Sequence, residues 1–288
     1  MKSRIAGILT FAVLLCVAFW SPLLSLIHYA TGNSLHSHIL LIPFISGYLI
    51  YLQRGTLPKN YRCSSAFGLL TFSTGLAAFG AALRMQAELG SGDFLSCVAF
   101  SFVTLLISGG FFFLGRAWMW AVCFPTTFLY FIVPLPDAAV HWMETMLKLG
   151  SAEAASLFFS MSGTPILRDG VVFELPNITL EVAQECSGIR SSWVLFITSV
   201  VASYVLLKSP WRRATLLTVV IPLAILRNGF RILVIGLLCV HIGPHMIHSV
   251  IHKSGGPLFF ALSLVPLFLL LWWLRKGEAM SPVEKDHL

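Results

Sequence analysis

ATLLTVVIPLAILRNGFRILVIGLL, residues 214–238, decides what kind of protein this is. It is apolar almost throughout, yet it carries Arg227 and Arg231 near its far end. A transmembrane helix needs roughly 20 mostly apolar residues to cross a hydrocarbon core about 30 Å thick. This run is long enough. At 1.5 Å per residue, Arg231 lies about 26 Å along a helix that starts at Ala214, close to the far face. The two arginines are four residues apart and share one side of the helix. A charge inside a span is costly and marks a functional site, unless it snorkels to lipid phosphates. Two arginines with Asn228 between them exceed what anchoring requires.

Working outward, the whole chain has this character. Of 288 residues, 57% are hydrophobic and 11% are charged, against about a quarter charged in soluble domains. Seven more apolar runs, roughly 5–27, 38–53, 66–84, 94–114, 117–134, 187–207 and 257–274, join this one, 213–238. The expected fold is an all-α polytopic membrane protein with about eight transmembrane helices. The first run follows Met1-Lys-Ser-Arg4 and has no small-x-small cleavage site before Pro22, so it reads as an uncleaved helix.

The net charge of +7 does not point to nucleic acid, because the basic residues are dispersed between the spans. With eight spans, Lys2, Arg4, Arg54, Lys59, Arg62, Arg116, Lys208, Arg212, Arg213, Arg275, Lys276 and Lys285 share one side. By the positive-inside rule that side is cytoplasmic, and both termini are inside. Most acids, among them Asp93, Asp137, Glu153, Glu181 and Glu185, fall on the other side. The longest outer segment is 135–185. Its first part, Asp137 to Met161, reads as an amphipathic interfacial helix. Asp169-Gly170 is a two-residue hairpin signal flanked by strand-like Val171–Leu175 and Ile178–Val182. A small strand meander should therefore lead into the sixth span. The chain is read as one domain, 1–288.

Cysteine usage excludes a zinc framework, since no CxxC or related spacing occurs. Cys16, Cys97, Cys123 and Cys239 lie in apolar runs and read as small buried hydrophobes. Cys63 sits in a basic loop. Cys186 differs: in AQECSGIRSSW, residues 183–193, it stands where polar sequence gives way to a span. A helix N-terminus stabilises a thiolate, and Arg190 would lie one turn on, on the same face. The plainer alternative is a helix cap with a bystander thiol.

A third constellation follows the seventh span. His241, His245, His248 and His252 are spaced by 4, 3 and 4 residues. One continuous helix would make them a stripe suited to a metal. Gly243-Pro244 should break that helix, and no carboxylate lies nearby. A single histidine acting as acid or base fits better. No metal or cofactor is expected. Thiol, guanidinium and imidazole thus converge on the outer surface from three segments. Such a set performs acyl transfer: the thiolate attacks a peptide carbonyl, arginine stabilises the oxyanion, and histidine protonates the leaving amine. Two other classes stay open, a transporter or export component with Arg227 and Arg231 lining an anion path, and a histidine-based metal enzyme.

Several stretches, in order, resemble the exosortase/archaeosortase family of membrane transpeptidases. They are Ser37-His-Ile-Leu-Leu-Ile-Pro43, Phe131-Ile-Val-Pro-Leu-Pro136, Glu185-Cys-Ser-Gly-Ile189, Arg227-Asn-Gly-Phe-Arg231-Ile232 and His252-Lys-Ser-Gly-Gly256. The resemblance implies a catalytic set of Cys186, Arg231 and His252; Arg190, Arg227, Asn228, Glu185 and His248 are read as supporting residues. It implies a cysteine peptidase or transpeptidase of the inner membrane, with its site on the outer face. Its partners would be exported proteins ending in a short motif, a hydrophobic helix and a basic tail, of the PEP-CTERM type, and an acceptor nucleophile. Membrane lipid is expected around it, and nucleic acid is not.

Overall fold

The computed structural model describes residues 2–58, 63–176, 178–182, 187–248 and 255–279, with the backbone alone at 2, 247, 248 and 279. Two compact units divide at residue 140: Met1–Val140 and His141–Leu288.

The first unit is helical. It holds α1 (Lys2–Ala18), α2 (Trp20–Gly32), α3 (Ile42–Leu52), α4 (Ser65–Arg84), α5 (Ser91–Phe113), α6 (Arg116–Ala121) and α7 (Cys123–Phe128). The expected first span is broken: α1 and α2 meet at 74°. Proline explains the position of the break. A helical proline lacks the N–H and its ring clashes with the carbonyl four residues back. In a continuous helix Pro22 would clash with the carbonyl of Ala18, and Ala18 is the last residue of α1. The expected fifth span, 117–134, is broken the same way. Pro125 opposes Ala121, where α6 ends, and the chain runs on through α7 and a 3₁₀ turn, Leu129–Ile132. Close packing of α4 on α5 uses glycines: a Cβ at Gly75 would lie 2.8 Å from Leu105 Cγ.

Between α2 and α3 lies a buried imidazole. His36 is 2% exposed, and neither ring nitrogen has a hydrogen-bond partner among the described residues. Its ring centroid is 5.1 Å from that of Tyr29. Burial, and secondarily the neighbouring His38, push its pKa down to about 4.

Helix α8 (Asp137–Ser162) starts at the end of the first unit and supplies most of its length to the second. Asp93 Oδ1 accepts the Asp137 N–H at 2.9 Å, satisfying one of its orphan N-terminal donors. In the second unit follow β1 (Leu167–Asp169), β2 (Val172–Leu175) and β3 (Ile178–Glu181), then α9 (Ile189–Leu206), α10 (Pro210–His241) and α11 (Gly256–Ala279). The strands form the expected meander, antiparallel in the order β1-β2-β3. The turn differs by one residue. Asp169 pairs with Val172, so Gly170-Val171 forms the loop, and Gly170 takes φ +59°. The glycine thus occupies the first loop position, where hairpin turns of the primed types need positive φ.

Alternate strand residues Phe173, Leu175, Leu180 and Val182 form one core with Ala152, Ala155 and Phe159 of α8 and Ile232 of α10. Helix α10 meets α8 through two glycines seven residues apart. A Cβ at Gly229 would stand 2.6 Å from Ala154 Cβ, and one at Gly236 would stand 2.5 Å from the Phe159 ring. Arg168 clamps β1 onto α8, donating to both carboxylate oxygens of Glu153 at 2.9 and 2.6 Å. A second core joins α9, α10 and α11 through Leu195, Leu216, Val220, Leu267 and Leu271. At its far end the Glu278 carboxylate accepts the Lys208 and Ser209 N–H groups.

Five helices, α4, α5, α9, α10 and α11, are each long and apolar enough to cross a membrane, or seven spans if each of two bent pairs counts as one. Cys16 and Cys123 are exposed on apolar helices and Cys97 is half-buried, so of the four expected buried thiols among the described residues only Cys239 is. An apolar helix face that meets lipid needs no protein cover, so an apolar run does not imply burial in protein.

Candidate functional site

Helix α10 builds the site. It is an unbroken helix of 32 residues despite Pro222, about 48 Å at 1.5 Å per residue. Arg227, Asn228 and Arg231 lie on its buried side, facing the sheet and the start of α9.

Arg227 is 7% exposed. Its Nη2 donates to the Gly188 carbonyl at 3.3 Å and to Ser192 Oγ at 3.2 Å. Its buried Nη1 has no hydrogen-bond partner among the described residues. Burying a charge costs several kcal/mol unless it is paired or hydrogen-bonded, so the guanidinium is held here at a price in stability. Asn228 is 2% exposed and donates through Nδ2 to Ser151 Oγ on α8 at 3.0 Å. Arg231, half-buried, lines a small cleft with Asn228, Ile232 and Ile235 of α10 and Leu180, Glu181 and Val182 at the end of β3.

The start of α9 is built around Gly188. It is the N-cap residue, with φ +72° and ψ 14°. A Cβ there would lie 2.9 Å from Asn228 Oδ1 and 3.1 Å from Arg227 Nη2. Glycine is therefore required twice, by the left-handed backbone and by the close approach of α10. The Gly188 carbonyl is the focus of this corner, accepting from Arg227, from Ser192 Oγ at 2.9 Å and from Ser191 Oγ at 3.1 Å. The helix begins at Ile189, so Cys186 precedes even the cap. The expected i, i+4 relation between Cys186 and Arg190 involves a residue outside the described ones. Arg190 is exposed on the first turn of α9.

Two chain segments thus converge on the arginine face of α10. One ends at Val182, 2% exposed, whose N–H donates to Val171 O at 3.0 Å. The other starts at Ser187, 1% exposed. Glu185 and Cys186 lie outside the described residues, as does His252. The helix break expected at Gly243-Pro244 is present: α10 ends at His241, Gly243 has φ +141°, and a 3₁₀ turn covers Pro244–His248. The histidines therefore do not share one helix. Among the described residues no group of three or more His, Cys, Asp or Glu is placed to hold a metal ion.

The model of the transmembrane exosortase family matches residues 20–269. The chain belongs to this family. No curated protein and no solved structure matches it. The family is one of membrane transpeptidases that sort exported proteins by C-terminal signals, and the chain is a multi-pass membrane protein.

Sequence reading missed the hydroxyls that hold Arg227 and Asn228 in place. Ser192 and Ser151 are 7% and 0% exposed and accept from Arg227 and Asn228. Their signal was available: a serine on the inward face of an apolar helix needs a polar partner, and Arg227 and Asn228 were the polar groups in want of one.

Proposed function

We propose that the protein is a cysteine transpeptidase that cleaves the C-terminal sorting signal of exported proteins at the outer face of the inner membrane. The observation that carries this is the docking of one charged helix segment, Arg227 to Arg231, against both chain segments that flank Cys186. The signal is a short motif, a hydrophobic helix and a basic tail, of the PEP-CTERM type. The Cys186 thiolate attacks the carbonyl beside the motif. The C–N bond breaks, the helix and tail leave as an amine, and the new C-terminus remains as a thioester. Arg231 stabilises the oxyanion. His252 gives a proton to the leaving amine and then removes one from the acceptor nucleophile, which releases the product. Arg227 and Asn228 position the start of α9, and Glu185, Arg190 and His248 support the site from its rim.

The placement follows from charge. Eight apolar segments follow when the bent α1–α2 pair, the short α3 and the broken run 117–134 are counted with the five long helices. Lys and Arg then cluster on the cytoplasmic side with both termini. The segment 135–185, carrying α8 and the sheet, lies outside and recognises the motif, and the chain works as one domain. The test is a thioester trap. A tagged exported reporter ending in such a signal should form a hydroxylamine-sensitive adduct with the wild type and none with Cys186→Ala. Retained cleavage in Cys186→Ala would overturn the reading.

A further inference from the structure

An apolar concavity in the second unit has no place in the mechanism above. It encloses about 290 Å³ among α8, α9 and α10 and is lined by Trp142, Met146, Trp193, Phe196 and Ile221, with Ser192 as its polar group. It is open to the surface: Trp142 is 64% exposed and Ile221 57%. Ser192 belongs to both places. Its Oγ accepts from Arg227, and its side chain lines the cleft. The cleft therefore runs from the site down the apolar part of α10.

Size and lining define what it holds. An apolar cavity of about 150 Å³ takes one benzene, so 290 Å³ takes two ring-sized or leucine-sized groups. Two such groups come from one helix when they sit three or four residues apart. The α10 residues at the cleft, Val220 to Ile225, cover about 8 Å of axis, or one to two turns. Methionine lining adapts to different apolar shapes and recurs at surfaces that bind many helices. A sorting enzyme needs that adaptability if its substrates share a motif and differ in their membrane helices.

We propose that this cleft is the docking site for the first two turns of the substrate's hydrophobic signal helix, taking two bulky apolar side chains on one face. This rests on the sorting-transpeptidase reading above. It commits to a peptide helix because the cleft opens onto the residue that holds Arg227, so an occupant anchored there presents the preceding motif to the site. A lipid acyl chain has no such register.

The experiment uses the full-length protein in membranes and a tagged exported reporter carrying a short motif, an apolar helix of about 20 residues and a basic tail. A photoreactive phenylalanine analogue replaces Ile221, or Leu269 as a control on the exposed face of α11, in the Cys186→Ala background so that substrate persists. Irradiation should give a reporter adduct at 221 and none at 269. In the active protein, Ile221→Trp should lower reporter cleavage at least tenfold, while Leu269→Trp leaves it unchanged. Alanine scanning of the reporter helix should give two sensitive positions three or four apart, within the first two turns after the motif. Lipid adducts alone at 221, equal reporter adducts at both positions, or full cleavage by Ile221→Trp would overturn the docking site while wild-type, Cys186-dependent cleavage left the parent reading standing. Cleavage by Cys186→Ala would instead overturn the parent reading, and the docking site with it.

Discussion

Replacing Gly188 with alanine is the sharpest perturbation of the arginine corner, because the same fold contains its control. Gly188 and Gly163 have nearly equal φ, +72° and +71°. An alanine in the left-handed region costs about 1–2 kcal/mol wherever it stands. Around Gly163 a new Cβ meets nothing within 4 Å, whereas at Gly188 it meets Asn228 Oδ1 at 2.9 Å and Arg227 Nη2 at 3.1 Å. Overpacking of that kind adds about 1–3 kcal/mol. The pair must part by a few tenths of an ångström, and the Arg227–Gly188 bond, already 3.3 Å, lengthens. Since a 1 Å misplacement in a site costs roughly a hundredfold in rate, a third of that costs about fivefold. Thermal unfolding in detergent and reporter cleavage should be measured for both variants. Gly163→Ala should lose a little stability and no activity. Gly188→Ala should lose more stability and about fivefold in rate. Equal melting and equal rates in the two would refute the claim that Gly188 is held against Arg227.

Asn228→Ala and Ser151→Ala should each destabilise by about 1 kcal/mol, and the double variant by little more than the worse single one, because each hydroxyl or amide removed orphans the same buried bond; a strictly additive cycle in thermal unfolding would break this pairing. Gly229→Val should part α10 from the Ala155 backbone, 3.0 Å from the added Cβ, and lower the melting temperature, while Gly80→Ala, with open space around it, should raise it slightly through helix propensity. His36 gives a pH dependence. Its folded pKa of about 4 lies below the ordinary 6.5, so below 6.5 the unfolded chain binds the extra proton. Stability is then full above pH 6.5 and falls toward pH 4, by on the order of 3 kcal/mol. Unfolding of His36→Phe followed across that range should lack this loss, and an unchanged profile would exclude His36 as its source.

Much of this was legible in the sequence, for identifiable reasons. Helix α10 could be read because an apolar run of its length has one stable form in a bilayer. The helix stop at Gly243-Pro244 and the three-stranded meander could be read because turn residues act locally. The hairpin register slipped by one residue because Asp169-Gly170 marks a turn without saying which of its positions the glycine fills. Continuity of the first and fifth expected spans was not legible. Pro22 and Pro125 follow helix ends by four residues, while Pro222 and Pro266 sit inside unbroken α10 and α11, and all four runs are apolar. At the site, the pairing of Arg227 and Arg231 on one face was evident from spacing. Their partners were not, since Gly188, Ser192 and Ser151 come from other elements and only packing brings them to α10.

Helix α10, at about 48 Å, exceeds a hydrocarbon core of about 30 Å by some 18 Å. Measured from Pro210, a core's thickness is used up near residue 230, and the remainder carries Ile232 and Gly236, against which the sheet and Phe159 rest. The sheet is thus mounted on a rigid mast, and the distance of the guanidinium pair from the start of the helix is fixed by a rod, with no loop to absorb a change. Thickening the bilayer by 3 Å would sink Arg231 by two residues' rise, so membrane thickness itself becomes a control on how this corner meets whatever emerges from the bilayer beside it.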